Sequence, residues 1–174
     1  YRSFVKEHFP NAKITADKFH VLRLINPALN KKRIGITGDI RSLPIRRLLL
    51  RNAHKLEYYE RAALDLWLAQ YPELREIYYA KEALHRFYRM KGYERASRAL
   101  MVMTDALARS NLPELKKLRR TLMAWRKEIL EYFKTRLTNA RTEGFNNVAK
   151  LVQKRAYGYR SFRNYRLRLL NACY

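Results

Sequence analysis

The sequence predicts a mainly α-helical protein with one short β-strand near its beginning. From about residue 40 onward, apolar residues recur at three- and four-residue spacing, as they do along one face of an α-helix. The chain has only 5 Gly and 5 Pro among 174 residues, so few segments are forced into turns. Residues 12–17 alternate apolar and polar side chains, which is the pattern of a strand.

The first forty residues predict a helix, a strand and the start of a second helix. The helix covers residues 2–9 and ends at Pro10, which together with the following Asn favours a turn. Residues 12–17 include the β-branched Ile14 and form the strand, and the second helix begins near Lys18.

A series of helices with short connections is predicted for the middle of the chain. Pro near a helix start and Gly after a helix end mark several of the boundaries. No repeat of fixed period is visible, so the pattern favours a helical bundle over a solenoid. The predicted helices run from Leu43 to Leu56 and over residues 57–70, 72–91, 93–110 and 111–134, and a further helix begins near residue 142.

The net charge of +23 makes nucleic acid the first partner to consider, because such a potential attracts polyanions without sequence readout. The alternative is a protein with a well-solvated basic face. The scarcity of Gly argues against a nucleotide-binding enzyme with a phosphate loop. No apolar segment is long enough to span a membrane, and the single Cys173 fits a reducing compartment, so we expect a cytoplasmic protein.

Glu143 is the only carboxylate side chain after Glu131, and it lies in a strongly basic segment. On a helix it shares a face with Asn147, Lys150 and Lys154. This set suits a site in which the carboxylate holds a divalent cation and the lysines meet phosphates. The alternative is an ordinary ion pair within a basic helix.

Asp17 ends the predicted strand, with His20 three residues later. Active sites of α/β proteins gather at the carboxyl ends of strands, so this acid is a second catalytic candidate. The favoured alternative is that Asp17 caps the helix that follows and that His20 is packed or caps as well.

The C-terminal segment interleaves cations with aromatic residues. We expect its cations to contact backbone phosphates. Its aromatic residues could stack on unpaired bases, but core packing is the favoured interpretation for them, as it is for Trp67 and Trp125. His54 and His85 offer no metal-ligand spacing. The cations are Lys150, Lys154, Arg155, Arg160 and Arg163, and the aromatic residues are Tyr157, Phe162 and Tyr165.

Two distant segments together resemble the C-terminal half of the ISL-three family of DDE transposases. The first runs from Phe9-Pro10-Asn11-Ala12 through Asp17-Lys18-Phe19-His20-Val21. The second contains Thr138-Asn139, Glu143-Gly144-Phe145-Asn146-Asn147, Lys150, Arg155-Ala156-Tyr157-Gly158-Tyr159, Phe162 and Arg166. The resemblance covers both ends of the chain, and residues 30–120 contribute little to it.

The resemblance implies the C-terminal part of a ribonuclease H-like α/β core that holds two Mg²⁺ or Mn²⁺ ions through three carboxylates. Such a site cleaves and joins DNA strands at insertion-sequence ends. Glu143 matches the glutamate of the triad, with His20, Asn146 and Asn147 beside the site. Residues 1–38 would then end the N-terminal half of the core, residues 39–135 would form a helical insertion, and residues 136–174 would carry the catalytic helix and a basic tail. DNA is the implied partner, and a homo-oligomer is compatible with this family.

The sequence departs from the family pattern in lacking the two triad aspartates, which are expected on earlier strands. Asp17 lies on the next strand and is an outside candidate for a metal ligand. The chain begins without Met inside a predicted helix, so we expect further sequence upstream, and we expect the fragment alone not to cut DNA. The alternative function is a noncatalytic, basic helical module that binds nucleic acid.

Overall fold

A computed structural model describes residues 2–41 and 44–173, apart from the side chain of Arg141. This part of the chain is helical and contains no β-strand, which confirms a mainly α protein. The helices are α1 (Arg2–His8), α2 (Lys18–Arg23), α3 (Asn26–Thr37), α4 (Pro44–Leu50), α5 (Tyr58–Ala69), α6 (Pro72–Arg89), α7 (Tyr93–Ala108), α8 (Pro113–Ala124), α9 (Arg126–Thr135), α10 (Ala140–Arg155) and α11 (Phe162–Cys173), with a 3₁₀ turn at Ala53–Lys55.

Local sequence signals explain most of the helix boundaries. Pro occupies the first turn of α3, α6 and α8, where its missing N–H costs no helical hydrogen bond. Glu57 and Glu60 form a capping box at the start of α5. Gly38 ends α3 at φ 67°, a left-handed conformation that glycine adopts without a steric penalty.

The prediction of a strand over residues 12–17 is wrong for this chain. The Ala16 N–H donates to the carbonyl of Glu128 on α9 at 2.9 Å, and Asp17 has extended dihedral angles of φ −64° and ψ 125°. A strand is stabilised by a ladder to a neighbouring strand, and the described residues provide none. The segment is therefore an irregular connection between α1 and α2.

The helix predicted over residues 111–134 is interrupted at Trp125, whose dihedral angles of φ −108° and ψ 16° separate α8 from α9. Arg2 of α1 stabilises the break. Its guanidinium donates to the carbonyl of Ala124 at 3.0 Å and pairs with the carboxylate of Glu128 at 2.6 Å. The prediction missed this break because the contact joins residues 122 positions apart.

The structure differs from the predicted helices at three other places. The basic helix expected from Leu43 to Leu56 divides into α4 and the 3₁₀ turn, and its first residue lies outside the described part of the chain. Neither α3 nor α11 was predicted. The hydrophobic side of α3 is short and includes Arg33, which is buried and donates to the carbonyls of Asp39 and Arg41.

The chain divides into two compact units, Tyr1–Arg136 and Leu137–Tyr174. The first, which we call the helical unit, packs α2 to α9 around one apolar core. The second, which we call the C-terminal hairpin, consists of α10 packed on α11, and none of its described residues is buried. The core of the helical unit includes Val21, Ile25, Leu29, Leu49, Leu64, Leu68, Leu74, Ile77, Leu84, Phe87, Tyr88, Leu100, Leu118, Leu122, Ile129 and Phe133.

Candidate functional site

Asp17 caps the N-terminus of α2 in the helical unit. Its Oδ1 accepts a hydrogen bond from the Phe19 N–H at 2.6 Å, so the capping interpretation is confirmed. The other oxygen, Oδ2, is buried without a hydrogen-bond partner among the described residues, and it lies 3.6 Å from Nδ1 of His20. One carboxylate oxygen thus remains available for a ligand.

The Asp17 carboxylate affects the pKa of Tyr88, which belongs to an aromatic cluster on α6 and α9. Burial raises the pKa of the Tyr88 phenol, and the neighbouring Tyr132 and Asp17 raise it further. The rings of Tyr88 and Phe133 stack with centroids 5.8 Å apart. These rings belong to the apolar core of the helical unit.

A pocket of about 270 Å³ opens beside Asp17 and His20. Thr15 and Leu24 line one side of the pocket, and Trp125 of the α8–α9 break also lines it. We expected Trp125 to be a core residue, but its side chain is 38% exposed. The prediction rested on the general preference of tryptophan for protein cores, and Trp125 instead lies at the break between α8 and α9.

Glu143 lies in the first turn of α10 in the C-terminal hairpin, where its N–H donates to the carbonyl of Asn139 at 2.9 Å. Its side chain is exposed, and no ion pair to it occurs among the described side chains. Asn146, Asn147 and Lys150 are exposed on the same helix. The carboxylate of Glu143, the two asparagine amides and the lysine amine are thus all accessible from solvent.

The cations of the C-terminal hairpin are equally accessible. Lys154 and Arg155 end α10, while Arg160 precedes α11 and Arg163 lies in its first turn, and all four side chains are exposed. No ion pair to them occurs within the described part of the chain. A surface with one carboxylate and many free cations favours a polyanionic ligand.

The aromatic residues of the hairpin behave differently from the core packing we expected. Tyr157 has φ 50° in the turn before Gly158 and is fully exposed, and Phe162 is 77% exposed. Tyr165 is half-buried and contacts Tyr159, with ring centroids 5.3 Å apart. The core interpretation is therefore wrong for Tyr157 and Phe162, because the turn between the two helices directs them outward.

Among the described residues, no helix has both the length and the hydrophobicity needed to cross a bilayer. His85 lies half-buried in the helical unit, where burial lowers its pKa, and Trp67 is half-buried against Tyr71 with ring centroids 4.9 Å apart. These residues belong to the packing of the bundle rather than to an accessible site.

Comparison with known proteins identifies the chain's relatives. Residues 1–169 match the model of a DDE family of the ISL-three type that is described as a transposase. The transposase for insertion sequence element IS1001 of Bordetella parapertussis is 27% identical over 169 residues, which is 92% of this chain and 42% of that protein. The chain thus spans about two fifths of the length of this curated relative. No solved structure matches it. Since the family match extends over nearly the whole chain, the protein belongs to the ISL-three family of DDE transposases.

Proposed function

We propose that the chain is the C-terminal part of a DNA transposase and contributes Glu143 to metal-dependent cleavage and joining of strands at insertion-sequence ends. Family membership supports the reaction class. The observation that carries the residue assignment is the exposed carboxylate of Glu143, unpaired among the described side chains although the segment around it is basic. A single carboxylate among exposed cations suits a site at which a divalent ion meets DNA phosphates.

The available donors fit a divalent cation. Glu143 offers an exposed carboxylate, and Asp17 offers a buried oxygen without a hydrogen-bond partner in the described residues. Carboxylate oxygens are the ligands that Mg²⁺ and Mn²⁺ prefer. We propose Glu143 as the principal ligand and Asp17 as a weaker candidate. When bound, the ions would supply activation of the attacking oxygen and stabilisation of the leaving oxygen at a DNA phosphate.

The C-terminal hairpin would hold the DNA backbone. We assign phosphate contacts to Lys150, Lys154, Arg155, Arg160 and Arg163 because their side chains are exposed and share the hairpin with a single acid. Asn146 and Asn147 can donate hydrogen bonds to phosphate or sugar oxygens beside Glu143. His20 can donate or accept a hydrogen bond next to Asp17.

The proposed enzyme needs parts that this chain does not contain. Two further aspartates would complete the triad on a ribonuclease H-like core, with residues 1–38 and 136–174 joining that core and residues 39–135 forming its helical insertion. We therefore expect the 174-residue chain to bind DNA without cutting it.

The test replaces Glu143 by Gln in an intact member of the family. Glu143→Gln removes the negative charge of the side chain and keeps its shape. Strand cleavage should therefore fall to background, while the affinity for DNA should change by less than about threefold. Glu94→Gln, an exposed acid of α7, is the matched control and should cleave normally. Unimpaired cleavage by Glu143→Gln would refute the assignment. It would favour instead a noncatalytic, basic nucleic-acid-binding module.

A further inference from the structure

The pocket at the α8–α9 break has the parts of a binding site for a flat ring. The residues that line it include Trp125, Asp17, His20, Thr15 and Thr121. Its volume of about 270 Å³ lies just below the roughly 300 Å³ at which pockets for drug-sized ligands begin. The site suits one planar group with hydrogen-bonding edges.

Trp125 is fixed in place although it is 38% exposed. The guanidinium of Arg2 lies 5.2 Å from the centre of the indole ring. Arg2 is itself held by the Ala124 carbonyl at 3.0 Å and by the Glu128 carboxylate at 2.6 Å. A ring that is held in this way loses little conformational entropy when a ligand stacks on it.

The pocket adjoins a neighbouring groove, and Leu24 and Thr121 line both. Lys31 of α3 and Lys117 of α8 lie along this second groove, and both side chains are exposed. Neither lysine forms an ion pair within the described residues. The pocket therefore carries an aromatic ring with polar groups, and the adjoining groove carries two amines together with the carboxylate of Glu114.

We propose that this groove binds an unpaired nucleotide of the DNA, with the base against Trp125 and the adjoining phosphates near Lys31 and Lys117. Aromatic platforms combined with cations are how proteins bind single strands. The direction follows from the ring of Trp125 at one end and the ammonium groups of Lys31 and Lys117 at the other. A base inside a duplex hides its ring faces, so the groove should select unpaired nucleotides. This inference rests on the proposed role in DNA handling.

The test uses the full chain carrying Trp67→Phe, which leaves Trp125 as its only tryptophan. Two probes are compared: a blunt DNA duplex and the same duplex with a short single-stranded tail, each labelled for fluorescence anisotropy. Tryptophan emission should be quenched on binding the tailed duplex and remain nearly unchanged with the blunt duplex. Base stacking would be the cause of this quenching.

Two substitutions of Trp125 in the otherwise unchanged chain measure its contribution. Trp125→Ala should weaken binding of the tailed duplex by roughly 5- to 100-fold, and Trp125→Phe should retain most of the affinity. Neither change should alter the affinity for the blunt duplex. Thermal melting identifies any loss of fold, and the quenching experiment does not depend on these variants.

The outcomes separate the two proposals. If both duplexes bind with equal affinity and without quenching, the nucleotide pocket is refuted while the proposed DNA function stands. If neither duplex binds at low salt, both proposals are overturned.

Discussion

Lys81 is a fully buried charged residue of the helical unit. Its side chain on α6 is fully buried, and its Nζ donates to the carbonyls of Leu49 and Arg51 at 2.7 Å each and pairs with Glu82 at 2.8 Å. The two carbonyls end α4, where no helical N–H is available to them. Burial lowers the pKa of this ammonium group, while its pairing with Glu82 favours the charged form.

Replacing Lys81 should therefore destabilise the protein strongly. Lys81→Met keeps the approximate volume but leaves two carbonyls and the Glu82 carboxylate without their shared donor. We expect the free energy of unfolding to fall by about 3–5 kcal/mol, the cost of breaking a buried ion pair. Urea denaturation measures the loss. Lys91→Met, at an exposed position, is the control and should change stability by less than about 0.5 kcal/mol. Equal effects of the two changes would contradict this account of Lys81.

The candidate residues could be predicted from the sequence only where the signal was local. Asp17 was recognised as a cap because a cap depends on the next few residues, and Glu143 stood out through its basic neighbours. Lys81 and Arg2 gave no such signal, since their partners lie about 30 and more than 120 residues away. Trp125 was assigned to the core from its residue type alone.

At the scale of elements, helices flanked by Pro or Gly were predicted well. The positions of α5, α6 and α7 agree with the prediction to within about two residues at each end. The expected strand over residues 12–17 failed because a strand is defined by its partner, and the described chain provides a helix carbonyl instead. The ribonuclease H-like core stays a prediction.

The C-terminal hairpin should contribute measurably to the salt dependence of DNA binding. Each phosphate neutralised by a cation adds about 0.9 to the slope of log affinity against log salt concentration. Lys154→Gln and Arg160→Gln should therefore each reduce the slope by about 0.9, measured by anisotropy on the full chain. Arg75→Gln, an exposed cation on α6, is the control and should leave the slope unchanged. Unchanged slopes for all three variants would contradict the assignment of phosphate contacts to the hairpin.

At the scale of the whole molecule, the net charge of +23 and the family membership both support DNA as the proposed partner. The helical unit carries the core and Asp17, and the C-terminal hairpin carries Glu143 and the cations to which we assign phosphate contacts. The sequence shows a related change in charge, since Glu143 is the only carboxylate side chain after Glu131, and the three predicted domains over residues 1–38, 39–135 and 136–174 stay a prediction.

The most direct test of the proposed chemistry is a metal rescue at Glu143 in an intact family member. Glu143→Cys replaces a hard oxygen ligand with sulfur, which Mn²⁺ accepts more readily than Mg²⁺. If Glu143 holds the metal, strand cleavage should be lost in Mg²⁺ and partly restored in Mn²⁺. Full cleavage in Mg²⁺, or no recovery in Mn²⁺ by a variant that still binds DNA, would contradict this role for Glu143.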